Sequence, residues 1–169
     1  MKFFVLFIFL IISNLSHSYE NNQLLLHKEF KKIDEFKIES IEGKKISIFD
    51  KKDKNKLYFL NFWATWCTPC LKEIPDLIKL KKKFKSEIKI FFISVDANPK
   101  KVVPKFLKKY NFENLVIYND EKLVIAEDLG VRIMPTTLII NSDIKEISRI
   151  EGYIDWLDKK NLKTIENLL

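Results

Sequence analysis

The tightest constraint on the fold is the junction spanning residues 57–70. Leu57-Tyr58-Phe59-Leu60-Asn61-Phe62-Trp63 is apolar almost throughout, which suits a central strand covered on both faces. Beyond residue 70 the pattern changes period: Leu71, Ile74, Leu77, Ile78, Leu80 and Phe84 recur at helical spacing, with lysines and acids between them. Both cysteines of the chain, Cys67 and Cys70, fall where the strand hands over to the helix, beside Trp63 and Trp66. Two thiols three positions apart can close into a small disulfide ring and open again. The N-terminus of a helix stabilises a thiolate on the first of them.

The flanking segments extend the α/β pattern. Residues 36–48 alternate on both sides of Glu42-Gly43, which predicts a hairpin. Residues 50–56 form a lysine- and aspartate-rich loop, and residues 88–95 a second buried strand. Asn98-Pro99 opens a helix carrying Val103, Phe106, Leu107 and Tyr110 on one face. A short strand at 115–118, a short helix at 121–129 ending at Gly130, and an apolar run through Pro135 to Ile140 follow. Residues 141–143 then make a turn, and 145–150 an antiparallel strand that Gly152 ends. A last helix is expected over residues 155–169, with Trp156, Leu157, Leu162, Ile165 and Leu168 on its apolar face. Pro69 is tolerated in the first turn of the cysteine helix, whereas Pro75 should kink it. The fold class is α/β: a central mixed β-sheet flanked by helices, with an added N-terminal β-hairpin.

A chain of 169 residues is sized for one domain plus a targeting segment, and such a core needs no staples. Lys2 is followed by ten apolar residues (3–12) and then small polar ones, with Ser16 and Ser18 at the −3 and −1 positions of a cleavage site. Residues 1–18 therefore read as a signal peptide, an uncleaved anchor being the lesser reading, because the run is short of the roughly 20 residues a spanning helix needs. Residues 19–35 are a lead-in, extended or partly helical, and 36–169 the folded domain. Export, periplasmic or otherwise, with tethering to the inner membrane if the anchor stays, puts the cysteine pair in an oxidising compartment. There a reduced dithiol needs an upstream donor. The net charge of +7 is lysine spread over helix faces and loops, which favours a solvated surface over nucleic-acid binding and leaves room for weak membrane-surface association. His27, alone in the chain once residues 1–18 are removed, is assigned a surface or packing role.

A lone Cys-X-X-Cys admits several chemistries. Zinc needs four ligands, which two cysteines and one distant histidine cannot supply. Covalent haem attachment needs a histidine after the second cysteine, where Leu71 stands. Neither a cofactor nor a metal is expected; the redox-active pair is the reagent.

Trp63-Ala64-Thr65-Trp66-Cys67-Thr68-Pro69-Cys70 resembles the active site of the thioredoxin superfamily. Leu71-Lys72-Glu73-Ile74-Pro75-Asp76-Leu77 is similar to the TlpA/ResA-like branch of exported thiol-disulfide oxidoreductases. The likeness runs from about Phe36 to the C-terminus and includes Ile133-Met134-Pro135-Thr136, where the superfamily places a cis-proline. It implies that Cys67, exposed at the helix N-terminus, is the nucleophile and that Cys70, more buried, resolves the mixed disulfide. Pro135 would lie against the thiols, and Met134 with Trp66, Thr68 and Pro69 would meet the substrate. Trp63 would be mainly structural. Glu73 would tune thiol ionisation, its plainer reading being a solvated carboxylate on the helix face. General cytosolic thioredoxins carry a buried aspartate where this chain has Asn61, so acid–base help must come from Glu73 or water.

The resemblance implies a dithiol that reduces disulfides of specific periplasmic proteins, of the kind found in cytochrome c or respiratory oxidase maturation. The alternatives are an oxidant that introduces disulfides and an assembly module holding Cu(I) on the same thiols. A peroxidase of the related peroxiredoxin fold is weaker, because the Trp-Cys-Thr-Pro-Cys arrangement is not that family's peroxidatic site.

Overall fold

The structure, a computed structural model, describes residues 23–49, 57–112 and 114–169. The expected signal peptide and the loop at 50–56 lie outside them. In chain order the strands are β1 (Lys31–Lys32), β2 (Lys37–Ser40), β3 (Lys45–Ser47), β4 (Leu57–Trp63), β5 (Ile88–Ser94), β6 (Ile117–Asn119), β7 (Thr136–Asn141) and β8 (Lys145–Glu151). The helices are α1 (Thr68–Phe84), α2 (Pro99–Lys109), α3 (Val124–Asp128) and α4 (Lys159–Leu168).

The described strands form one sheet of order β1-β8-β7-β4-β5-β6-β2-β3. β4, β5 and β6 run parallel, and β7, β8 and the N-terminal hairpin add antiparallel pairs. This is the mixed, helix-flanked sheet of the thioredoxin-like fold, with the extra strands at its edge. All seven residues of β4 are buried. Strand alternation sends Leu57, Phe59 and Trp63 into one apolar cluster and Tyr58, Leu60 and Phe62 into the other. The first cluster is covered by α1, α2 and α4 through residues such as Ile74, Leu77, Val103, Phe106 and Ile165. The second is covered by Ile38, Ile48, Phe49, Ala126 and Leu129. Each such side chain contributes about 1.5–3 kcal/mol on burial, so the strand that leads to the cysteines is among the most firmly held parts of the chain.

Some sequence expectations shift. α1 runs unbroken through Pro75. The last helix begins at Lys159, not at residue 155, because Asp158 takes the N-cap and its side chain accepts from the Lys160 N–H. Trp156 therefore sits in the segment before the helix. Residues 19–22 of the lead-in lie outside the described residues; the part from 23 to 35 runs along β8: His27 N–H donates to Ile147 O, Ser148 Oγ donates to Leu25 O, and β1 pairs with β8. His27 also meets Glu146, at 3.1 Å.

Candidate active site

The cysteines occupy the end of the sheet where β4 stops. Cys67 is the N-cap of α1, with extended backbone (φ −86°, ψ 98°), and Cys70 closes the first turn. They form a disulfide, with Cα atoms 5.3 Å apart. The Cys70 N–H points at Cys67 Sγ, 3.3 Å away, so a backbone donor already faces the sulfur that would carry charge after reduction. α1 has no acid in its first turn and carries Lys81, Lys82 and Lys83 in its last, which complements the helix dipole. The expectation of an exposed Cys67 is corrected: it is only 4% accessible and Cys70 1%. Both sulfur-bearing side chains pack into the apolar cluster under α1. The accessible parts of the motif are Trp66, which is 69% exposed, with Thr68 and Pro69.

The loop between β4 and α1 is held by a residue that the sequence reading passed over. Asp96, just past β5 and buried, accepts from Thr65 N–H at 3.0 Å, Thr65 Oγ1 at 2.7 Å and Ser94 Oγ at 2.8 Å. Its signal was present in Ser94 and Asp96, two polar residues at the end of a largely apolar run. Trp63 stays under the site, against Phe106 with ring centroids 5.0 Å apart.

Glu73, one helical turn after Cys70, is buried rather than solvated. Strand alternation turns Asn61 toward α1, and register sets Thr137 of β7 directly opposite it. At Gly152 (φ 90°) the chain leaves β8 through a turn that suits glycine, and Trp156 then reaches over the sheet. Its indole N–H donates to Glu73 Oε1 at 2.5 Å, while Asn61 Nδ2 donates to Glu73 Oε2 at 3.4 Å and to Thr137 Oγ1 at 2.9 Å. Burial pushes the Glu73 carboxyl from 4.5 up to about 7. The donors Trp156, Asn61 and Thr137 hold it down, and the Asp76 charge adds to the rise. A carboxyl so placed can exchange a proton near neutral pH.

Across from this lies the segment before β7. The Met134–Pro135 bond is cis, as the resemblance implied. Because Thr136 pairs with Phe62 at the end of β4, Pro135 shares the cysteines' end of the sheet, and Met134 packs against the cluster that contains both of them. Ile133 beside it is half exposed. Of the residues singled out from sequence, Cys67, Cys70, Trp66, Thr68, Pro69, Met134 and Pro135 are thus gathered at one end, and Glu73 lies beneath. Among the described residues no group of three or more histidine, cysteine, aspartate or glutamate side chains could hold a metal ion.

Residues 30–147 match the model of the AhpC/TSA family. The chain belongs to the AhpC/TSA family. Among curated members of this kind it is similar to thiol-disulfide oxidoreductase ResA of Bacillus thuringiensis subsp. konkukian, with 39% identity over 118 residues, covering 69% of this chain and 66% of that protein. It is also similar to ResA of Bacillus subtilis, with 35% identity over 118 residues, covering 69% of this chain and 64% of that one. The match thus spans just under two thirds of these relatives' length. The solved structure of a putative thiol:disulfide interchange protein DsbE from Chlorobium tepidum aligns over 83% of this chain and 96% of its own with a TM-score of 0.71 and 21% identity, a likeness of fold. The ResA-like resemblance carried by residues 63–77 is borne out by these relatives.

Proposed function

We propose that this AhpC/TSA family chain is an exported thiol-disulfide oxidoreductase that reduces disulfides of specific proteins through Cys67 and Cys70. The observation that carries the reading is a disulfide ring at a helix N-terminus with a buried carboxyl, Glu73, one turn along it, ionising near neutrality. The names of the ResA relatives support it.

In the reduced chain the Cys67 thiolate, capped by the Cys70 N–H, attacks one sulfur of a client disulfide. The Cys67–client bond forms, the client's S–S bond breaks, and the other client sulfur leaves as a thiolate that takes up a proton. Cys70 gives its proton to the Glu73 carboxylate and attacks Cys67 Sγ. The second client sulfur then leaves and is protonated. Two electrons pass to the client, whose two thiolates take their protons from water while the Cys70 proton leaves to water through Glu73, and Cys67 and Cys70 end as the disulfide present in the structure. A dithiol donor upstream, reached at the membrane, restores the reduced pair. Trp66, Thr68, Pro69 and Met134 form the client contact, with the backbone beside Pro135 pairing to an extended segment. The family resemblance favours clients whose oxidised cysteines later bind haem or copper. Export rests on the N-terminal segment; no helix among the described residues is long and apolar enough to cross a membrane.

The test is disulfide exchange between the reduced chain and a model protein disulfide. Cys67→Ser abolishes exchange, and Cys70→Ser accumulates a client adduct on Cys67; full activity in Cys67→Ser refutes the mechanism. The potential against glutathione decides direction: a value near about −270 mV supports reduction, and one near about −120 mV makes the chain an oxidant. Tight Cu(I) binding by the dithiol in competition with a chelator, without exchange activity, would make it a copper module instead.

A further inference from the structure

The two oxygens of Glu73 have unlike partners. Oε1 accepts from the indole of Trp156, a group that can only donate. Oε2 faces the carboxamide of Asn61, which can do either, across the longer distance of 3.4 Å. Asn61 is itself unbalanced: Nδ2 serves both Glu73 and Thr137, while Oδ1 is buried with no hydrogen-bond partner. An unpartnered buried amide oxygen is costly, and here it belongs to the group that touches the carboxyl.

We propose that Trp156 is a positioning residue for the thiol chemistry, pinning Oε1 of Glu73 so that Oε2, the oxygen facing Asn61, takes up and gives back the proton. This rests on the reading of Glu73 as the proton acceptor for Cys70. Asn61 adapts to the two states. With Oε2 ionised, Nδ2 donates to it, as in the structure. With Oε2 protonated, a half-turn of the carboxamide exchanges Nδ2 for Oδ1, which then accepts from Oε2–H and from the Thr137 hydroxyl. One proton moves from the Cys70 thiol to Oε2 and later from Oε2 to water; nothing else is gained or lost.

The surroundings suit the role. Trp156 is fully buried, and its ring packs edge-on against Phe59, with centroids 5.6 Å apart. It reaches Glu73 from 83 residues away in sequence. Facing the carboxyl, β4 supplies Asn61, β7 supplies Thr137 and the segment after β8 supplies Trp156, all neutral. On α1 itself are Cys70 and the Asp76 charge, which opposes ionisation.

The experiment uses the chain bearing a chromogenic aromatic thiol as a mixed disulfide on Cys67. The rate at which Cys70 expels that thiol is followed as a function of pH. In the native chain the rate rises through an inflection set by Glu73. Trp156→Phe removes the donor and keeps an aromatic ring. It moves the inflection up by about one pH unit, because a hydrogen bond to a charged group is worth at least that much, and it leaves the alkaline plateau in place. Glu73→Gln abolishes the inflection, and Trp156→Phe adds no further change on that background. An inflection that survives Glu73→Gln sinks the proton-acceptor reading, whatever Trp156 does. With the inflection lost in Glu73→Gln, one left unmoved by Trp156→Phe in a folded chain overturns the positioning role alone. Should Trp156→Phe fail to fold, Asn61→Leu, similar in volume, replaces it: an upward shift supports the pinned-oxygen arrangement and no shift refutes it.

Discussion

Replacing Glu73 with glutamine should make the protein more stable and a poorer catalyst, with the gain confined to one pH range. Burial holds the Glu73 carboxyl at about 7 in the folded chain against 4.5 when unfolded. Between those values the folded state binds more protons than the unfolded one. Stability from this group is therefore fully present below 4.5 and is lost as pH rises through 7. At about 1.36 kcal/mol per unit, the ionised group costs the native chain roughly 3 kcal/mol on the alkaline side. Glutamine stays neutral. Its Oε1 still accepts from Trp156, and its Nε2 can donate to the unpartnered Oδ1 of Asn61. The oxidised Glu73→Gln chain should thus exceed the native chain by up to about 3 kcal/mol at about pH 8, equivalent to roughly 6–12 °C in Tm for a domain of this size. The two should converge as the pH falls to about 4.5. Urea unfolding across that range, with the disulfide intact, is the assay. A stability difference independent of pH, or a glutamine variant weaker than the native chain at alkaline pH, refutes the buried-carboxyl argument.

Asp96→Ala, which removes the acceptor of the Thr65 and Ser94 bonds, should cost about 2–4 kcal/mol in urea unfolding, and Asp96→Asn should recover part of it. Equal stability in the alanine variant would show that the loop is held by other means. Trp66→Ala should stay within about 0.5 kcal/mol of the native stability, since the side chain is 69% exposed, while exchange with a protein disulfide slows more than exchange with glutathione. Equal slowing with both would remove Trp66 from the client contact.

The strand-to-helix junction was legible because burial on both faces of β4 leaves an unbroken apolar run, and because the cysteines mark where the period changes. The depth of Glu73 was not legible. Spacing places it one turn from Cys70, but its burial depends on Trp156, Asn61 and Thr137, which only the register of β4 with β7 and the turn at Gly152 bring together. Trp156 itself was expected on a helix face, because apolar spacing cannot tell a helix from a tight approach to it when the cap, Asp158, lies two residues on. The expectation of an exposed Cys67 took the reactive thiol as a guide to the closed disulfide, whose side chains turn inward. The lead-in showed no period because backbone bonds to β8 hold it in place, and these leave no mark in side-chain pattern.

That lead-in closes a vulnerable border. β8 would otherwise present a seven-residue row of unpaired backbone groups to any extended polypeptide. Residues 25–32 occupy part of it, ending in a strand of two lysines. The opposite border is the three-residue strand Lys45–Ser47. Such short, lysine-bearing margins disfavour stray strand addition. If the chain acts on protein disulfides as proposed, these margins keep a client's extended segment from stacking on the edge of the sheet.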